Sequence, residues 1–129
     1  MIFKWKEDFE TGISEIDTQH KRLFELGSEL YNLVKVKTQQ DKYDDIVTII
    51  EELKDYAIYH FKYEENYMKE INFKDLKEHR IKHNVFIEKI LEYETDDIDY
   101  NQTKVLLDMI NFIASWISNH ILKDDLKYR

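Results

Sequence analysis

Cysteine and proline are absent from these 129 residues, and glycine occurs only twice, at Gly12 and Gly27. Without cysteine there can be no disulfides, zinc fingers, iron–sulfur clusters or thiol nucleophiles, and the usage fits a reducing compartment. Sheet-rich chains need Gly and Pro at their many turns, so their scarcity predicts long helices joined by few loops. No apolar run approaches membrane-spanning length, and the opening Met1-Ile2-Phe3-Lys4-Trp5-Lys6 carries no apolar leader-like stretch. A cytoplasmic protein that does not enter a membrane is therefore expected. Positive charge is also short: 19 Lys and Arg stand against 27 Asp and Glu, for a net charge of -8. That balance disfavours nucleic acid and anionic lipid surfaces, and nothing in the sequence names a protein partner. The length suits one domain, residues 1–129, with a real core.

What is present is helical periodicity. Residues 1–13 read as an irregular arm anchored by Trp5 and Phe9, followed by a bundle over about residues 14–129. The first helix starts between Ser14 and Thr18 and runs to about Lys37 on the stripe Ile16, His20, Leu23, Gly27, Leu30 and Val34. A loop at Thr38-Gln39-Gln40-Asp41, with Asp41 as N-cap, leads to a second helix ending about Met68. Its stripe is Ile46, Ile49, Leu53, Tyr56, His60, Glu64 and Tyr67. A break at Ile71-Asn72 precedes a third helix showing Leu76, His79, His83, Phe86 and Ile90. The acidic stretch Glu94 to Asp99 is the next loop, and the fourth helix shows Val105, Met109, Phe112, Trp116 and His120. Four such helices with short connections predict an all-α, antiparallel up-down-up-down bundle.

All five histidines fall on these apolar stripes: His20, His60, His79, His83 and His120. A lone histidine in such a place is more often a hydrogen-bonded core residue than a ligand. The pairs argue otherwise. His60 and Glu64, like His79 and His83, are four residues apart, which leaves their side chains ~40° apart in angle and ~6 Å apart along the axis. Each pair can serve one metal. Burying these groups without partners would cost about 1–3 kcal/mol each, a penalty that coordination removes. Five imidazoles and two carboxylates, Glu64 and one near the fourth helix's end, exceed what one tetrahedral zinc takes and suit two bridged metals. Iron fits imidazole with carboxylate, and zinc, manganese and copper also bind such donors. Ferritin-type di-iron bundles need Glu-x-x-His on two helices, a motif missing here.

The motifs, taken in order, resemble those of the hemerythrins, specifically the single-domain bacterial form. They are Trp5, then Gly12-Ile13, then Ile16-Asp17-Thr18-Gln19-His20; His60-Phe61-Lys62-Tyr63-Glu64-Glu65 with Met68; His79 and His83 with Phe86; and Trp116-Ile117-Ser118-Asn119-His120-Ile121 with Asp125 and Tyr128. One departure is Phe73-Lys74, where the family's third helix often opens with Tyr-Pro. The resemblance implies reversible O2 binding at a di-iron centre bridged by an oxo or hydroxo group. By motif, His79, His83 and His120 would hold one iron, His20 and His60 the other, and Glu64 and Asp125 would bridge them. The iron with two histidines would keep a position for O2.

Several finer expectations follow. Leu23, Phe61, Trp116 and Ile117, close in sequence to the ligands, are expected to form an apolar wall around O2. Asp17 reads as a helix cap, Glu65 as facing outward, and Tyr128 as able to donate toward the site. A regular helix places Asp124, not Asp125, beside His120, whereas the resemblance selects Asp125. The two agree if the fourth helix ends or distorts after His120, with Asp124 then left in solvent. The competing functions are a di-iron enzyme acting on peroxide, NO or ferrous iron at the same centre, and a zinc-stapled structural bundle. Dominance of neutral histidine and an apolar wall favour O2 binding without turnover.

Overall fold

The computed structural model describes residues 3–35, 43–95 and 103–128. Four helices follow one another: α1 (Ser14–Lys35), α2 (Tyr43–Glu70), α3 (Leu76–Thr95) and α4 (Thr103–Lys123). Short 3-10 turns lie at Glu7–Phe9 and Asp125–Tyr128, and no strand occurs among the described residues. Successive helices pack side by side, with α1 against both α2 and α4, and α2 against α3. Phe86 of α3 meets Trp116 and Phe112 of α4 at ring distances of 4.6 and 5.9 Å, which closes the ring of four. This is the expected all-α, up-down-up-down bundle. The expected loop Thr38–Asp41 with its Asp41 cap, the Asp96–Asp99 part of the acidic loop, and the side chain of Val105 lie outside the described residues.

The core follows the 3.6-residue period, with small shifts. On α2 the buried line is Ile46, Ile50, Leu53, Ala57, His60, Glu64 and Met68, while Ile49, Tyr56 and Tyr67 of the expected stripe are half-buried beside it. Either line satisfies spacing by threes and fours; packing against α1 and α3 selects between them. On α4 the buried face is wider than one stripe, taking in Leu106, Ile110, Ile113, Ala114, Ile117 and Ile121. Phe112 and Trp116 sit at its margin.

The break after α2 has a defined geometry. Asn72 adopts φ 56°, Phe73 N–H donates to the carbonyl of Met68 (2.9 Å), and Asn72 N–H donates to that of Lys69 (3.2 Å). This is a Schellman stop with asparagine in the left-handed position, sealed by Phe73 packing on the cluster that holds Met68. It ends α2 nearly three turns beyond His60 and turns the chain so that α3 can present His79 and His83 to the same core.

The arm is tied down at both ends. Phe3, Trp5 and Phe9 cluster on Phe24 of α1 with ring distances of 5.2–6.4 Å. Nearer the helix, Asp17 accepts hydrogen bonds from Thr11 N–H (2.8 Å), Thr11 Oγ1 (2.7 Å) and Gly12 N–H (3.2 Å). Asp17 therefore clasps the arm rather than capping its own helix. Gly12 supplies the φ of 84° that this turn requires. Gly27 is needed for a different reason: a Cβ there would meet the Phe3 ring at 2.4–2.6 Å. We expect Gly27→Leu to displace Phe3 and destabilise the fold by ~1–3 kcal/mol. Denaturant unfolding of the two proteins checks this, and equal midpoints would show that the arm's packing contributes nothing.

Candidate metal centre

Each helix delivers its ionisable groups to one depth of the bundle. α1 brings His20, α2 brings His60 and Glu64, α3 brings His79 and His83, and α4 brings His120, with Asp125 just past its end. All seven are buried, none more than 5% exposed. Their donor atoms form two groups whose members lie within 4.8 Å of one another: Glu64, His79, His83, His120 and Asp125, and then His20, His60, Glu64 and Asp125. The two carboxylates are common to both.

The distances show how the carboxylates are shared. Glu64 turns Oε1 toward His20 Nε2 (2.9 Å) and His60 Nε2, and Oε2 toward His83 (3.4 Å) and His79 (3.5 Å). Asp125 turns Oδ2 toward His20 (3.1 Å), and Oδ1 toward His79 (2.7 Å) and His120 (3.1 Å). Each carboxylate thus gives one oxygen to each histidine group, which is how a bridging ligand spans two cations.

Whether metal fits here can be decided from the orphaned atoms. Glu64 Oε2, His79 Nε2 and both oxygens of Asp125 are buried without a hydrogen-bond partner despite their close approach. They point at shared positions rather than at one another. His83 and His120 bring their Nε2 atoms to 3.0 Å. The opposite nitrogens of those rings face the carboxylates of Glu65 (2.8 Å) and Asp124 (3.1 Å), which hold the N–H on Nδ1. Two bare lone pairs at that separation repel unless a proton or a cation lies between them. The donor set fits two metal ions. His79, His83 and His120 would hold one, His20 and His60 the other, and Glu64 and Asp125 would span both.

Behind the rings lie residues that the sequence reading undervalued. Gln19, buried on α1, accepts from Nδ1–H of His60 at 2.6 Å and donates to Glu15 at 3.2 Å. Glu65, expected to face outward, is only partly exposed; it accepts from His83 and is fixed by Arg80 Nε at 2.9 Å. Asp124, expected in solvent, is 8% exposed, with one oxygen on His120 and the other on Lys82 Nζ at 2.5 Å. Both aspartates therefore face inward. α4 stops at Lys123, although Asp124 N–H still donates to the His120 carbonyl (2.8 Å), so Asp124 sits where helical geometry puts it. The chain then tightens, and the turn Asp125–Tyr128 buries Asp125 and Tyr128 three residues apart on one side. Tyr128 packs beside His79 at 5.9 Å, but its hydroxyl has no hydrogen-bond partner, so the expected donation is not made.

The expected wall divides in two. Phe61 lies parallel to His83 at 4.0 Å, and Trp116 parallel to His120 at 4.4 Å. Both therefore pack most closely on the three-histidine group. Leu23 and Ile117 are buried in the same core cluster.

In the metal-free chain the surroundings shift His20, His60, His120, Glu64 and Asp125 from their ordinary values. Burial lowers His20, but the adjacent Asp125 and Glu64 carboxylates outweigh it and raise the ring to about 9. Burial likewise lowers His120, but Asp125 and Asp124 outweigh it and raise the ring to about 10. His60, fully enclosed, is lowered by desolvation. Glu64 and Asp125 stay ionised well below the carboxylate range, because the surrounding histidines outweigh burial.

Comparison with known proteins points one way. The hemerythrin HHE cation binding domain family matches residues 11–128. A bacteriohemerythrin of Clostridium acetobutylicum is 43% identical over 127 residues, 98% of each chain. A bacteriohemerythrin of Pseudomonas aeruginosa is 34% identical over 96% of this chain and 77% of its own length. A hemerythrin-like protein of Naegleria gruberi is 31% identical over 98% of this chain and 91% of its own.

With folded-state values near 9 and 10, His20 and His120 both carry a proton at pH 7 that an incoming metal must displace. Metal binding should therefore release at least two protons per chain at pH 7. It should weaken as pH falls and lose its pH dependence above about 10. A pH-stat titration of the weakly buffered metal-free protein checks this; uptake without proton release would show both rings neutral.

Proposed function

Because the chain belongs to the hemerythrin family, we propose that it binds O2 reversibly at a carboxylate-bridged di-iron centre held by His20, His60, Glu64, His79, His83, His120 and Asp125. The observation that carries this reading is the sharing of Glu64 and Asp125, one oxygen each, between a group of three histidines and a group of two. Bound there as a ferrous pair, iron supplies the electrons and the free coordination position with which O2 is held.

The chain's own residues do the rest. Glu64 and Asp125 set the spacing of the two positions. Gln19, Glu65 and Asp124 hold His60, His83 and His120 with Nδ1 protonated and Nε2 facing inward. The smaller donor count at His20 and His60 leaves that side the room for O2. Leu23 and Ile117 keep water and protons from the bound gas, while Phe61 and Trp116 shield the three-histidine side. This favours holding O2 over reacting it onward, so the protein acts as a binder rather than an enzyme. The same reading takes residues 1–129 as one hemerythrin-like domain, with O2 as its partner and the cytoplasm as its location. No helix among the described residues is long and apolar enough to cross a membrane.

The test is anaerobic reduction of the iron-loaded protein followed by O2. A visible band should appear on exposure and vanish under argon, over repeated cycles. Continuous consumption of O2, peroxide or NO with a reductant would instead put the enzyme reading first. Within the wall, Leu23→Gln and Ile117→Asn should each shorten the lifetime of the O2 form about tenfold, the effect of ~1.4 kcal/mol on a barrier. Unchanged lifetimes followed by the same band would remove these two residues from the wall.

A further inference from the structure

The two halves of the centre share their carboxylates but are supported unequally from behind. On one side, the Nδ1–H of His83 donates to the Glu65 carboxylate, which Arg80 holds in place. The Nδ1–H of His120 donates to the Asp124 carboxylate, whose other oxygen is held by Lys82. On the other side, His60 is backed only by the neutral amide of Gln19, and His20 Nδ1 is buried with no hydrogen-bond partner.

Resting on the di-iron reading, we infer that the half built on His79, His83 and His120 is the tighter metal site and fills first, with Glu65 and Asp124 as its positioning residues. An imidazole donating to a carboxylate carries more electron density on its far nitrogen than one donating to an amide, and a held ring cannot pivot away. Arg80 and Lys82, both on α3, fix these carboxylates from outside, so neither can swing inward to compete as a ligand. The third imidazole adds to the difference. Glu64 and Asp125 cannot create it, since each contributes one oxygen to each half.

The experiment is an anaerobic titration of the metal-free full chain with Fe(II) against a chromophoric chelator. The parent should take up two ions in separate steps, the first at least about tenfold tighter. Asp124→Asn and Glu65→Gln, which keep shape but remove charge, should each weaken the first step by about 10–100-fold and leave the second in place. Glu15→Gln combined with Gln19→Glu keeps that pair's hydrogen bond while setting a carboxylate behind His60, and should tighten the second step instead. Circular dichroism of each metal-free variant establishes that the helices are intact. Two indistinguishable steps, or charge-removing variants that weaken both alike, would overturn the inference and leave O2 binding standing. Two ordered steps in a protein that never binds O2 reversibly would uphold the inference and sink the function. Fewer than two ions per chain would overturn both.

Discussion

Two buried carboxylates, each divided between two sets of imidazoles, are the constraint on which this molecule turns. Ionised groups in an apolar interior are strongly disfavoured unless every lone pair has a positive partner. Glu64 and Asp125 meet that demand only if all four helices stop at the right depth and rotation. The Schellman stop at Asn72 and the end of α4 at Lys123 are placed accordingly. A shift of either by one residue would rotate a donor by ~100°, out of the centre.

A second ring of polar groups then connects that interior to the surface. Gln19, Glu65 and Asp124 each face a histidine inward and another partner outward: Glu15, Arg80 and Lys82 respectively. Through Glu65 and Asp124 the sign alternates from the core outward and ends on Arg80 and Lys82, whereas the neutral Gln19 ends on Glu15. In this way a chain with net charge -8 can gather acids behind the three-histidine group while keeping bases outside them.

Much of this was legible from spacing. Helix number, the break at Asn72 and the convergence of five histidines follow from period and composition, because apolar burial enforces both. The finer assignments depended on information that lies outside any one helix. Ile49 and Ile50 fit the α2 stripe equally well until neighbouring helices choose Ile50. Asp17 looked like a cap because sequence shows its position on α1 but not the arm folding back onto it. Asp124 and Asp125 read as alternatives, yet the change from α4 to the 3-10 turn at this point lets both face inward, one behind His120 and one before it. Glu65 was dismissed by its angle alone; its long side chain and the approach of α3 bring it to His83. The usable signal was adjacency, since Gln19, Glu65 and Asp124 each sit beside a ligand candidate in the chain.

His20 lies near the start of the chain and Asp125 near its end, and a single metal position would engage both. For a protein with no cysteine, the centre takes the place of a covalent tie between distant segments. Cross-linking a loop of about a hundred residues removes ~4–5 kcal/mol of chain entropy from the unfolded state, by the same reasoning applied to a disulfide. Without the ions the chain would therefore be held less firmly where its first and fourth helices meet at that depth.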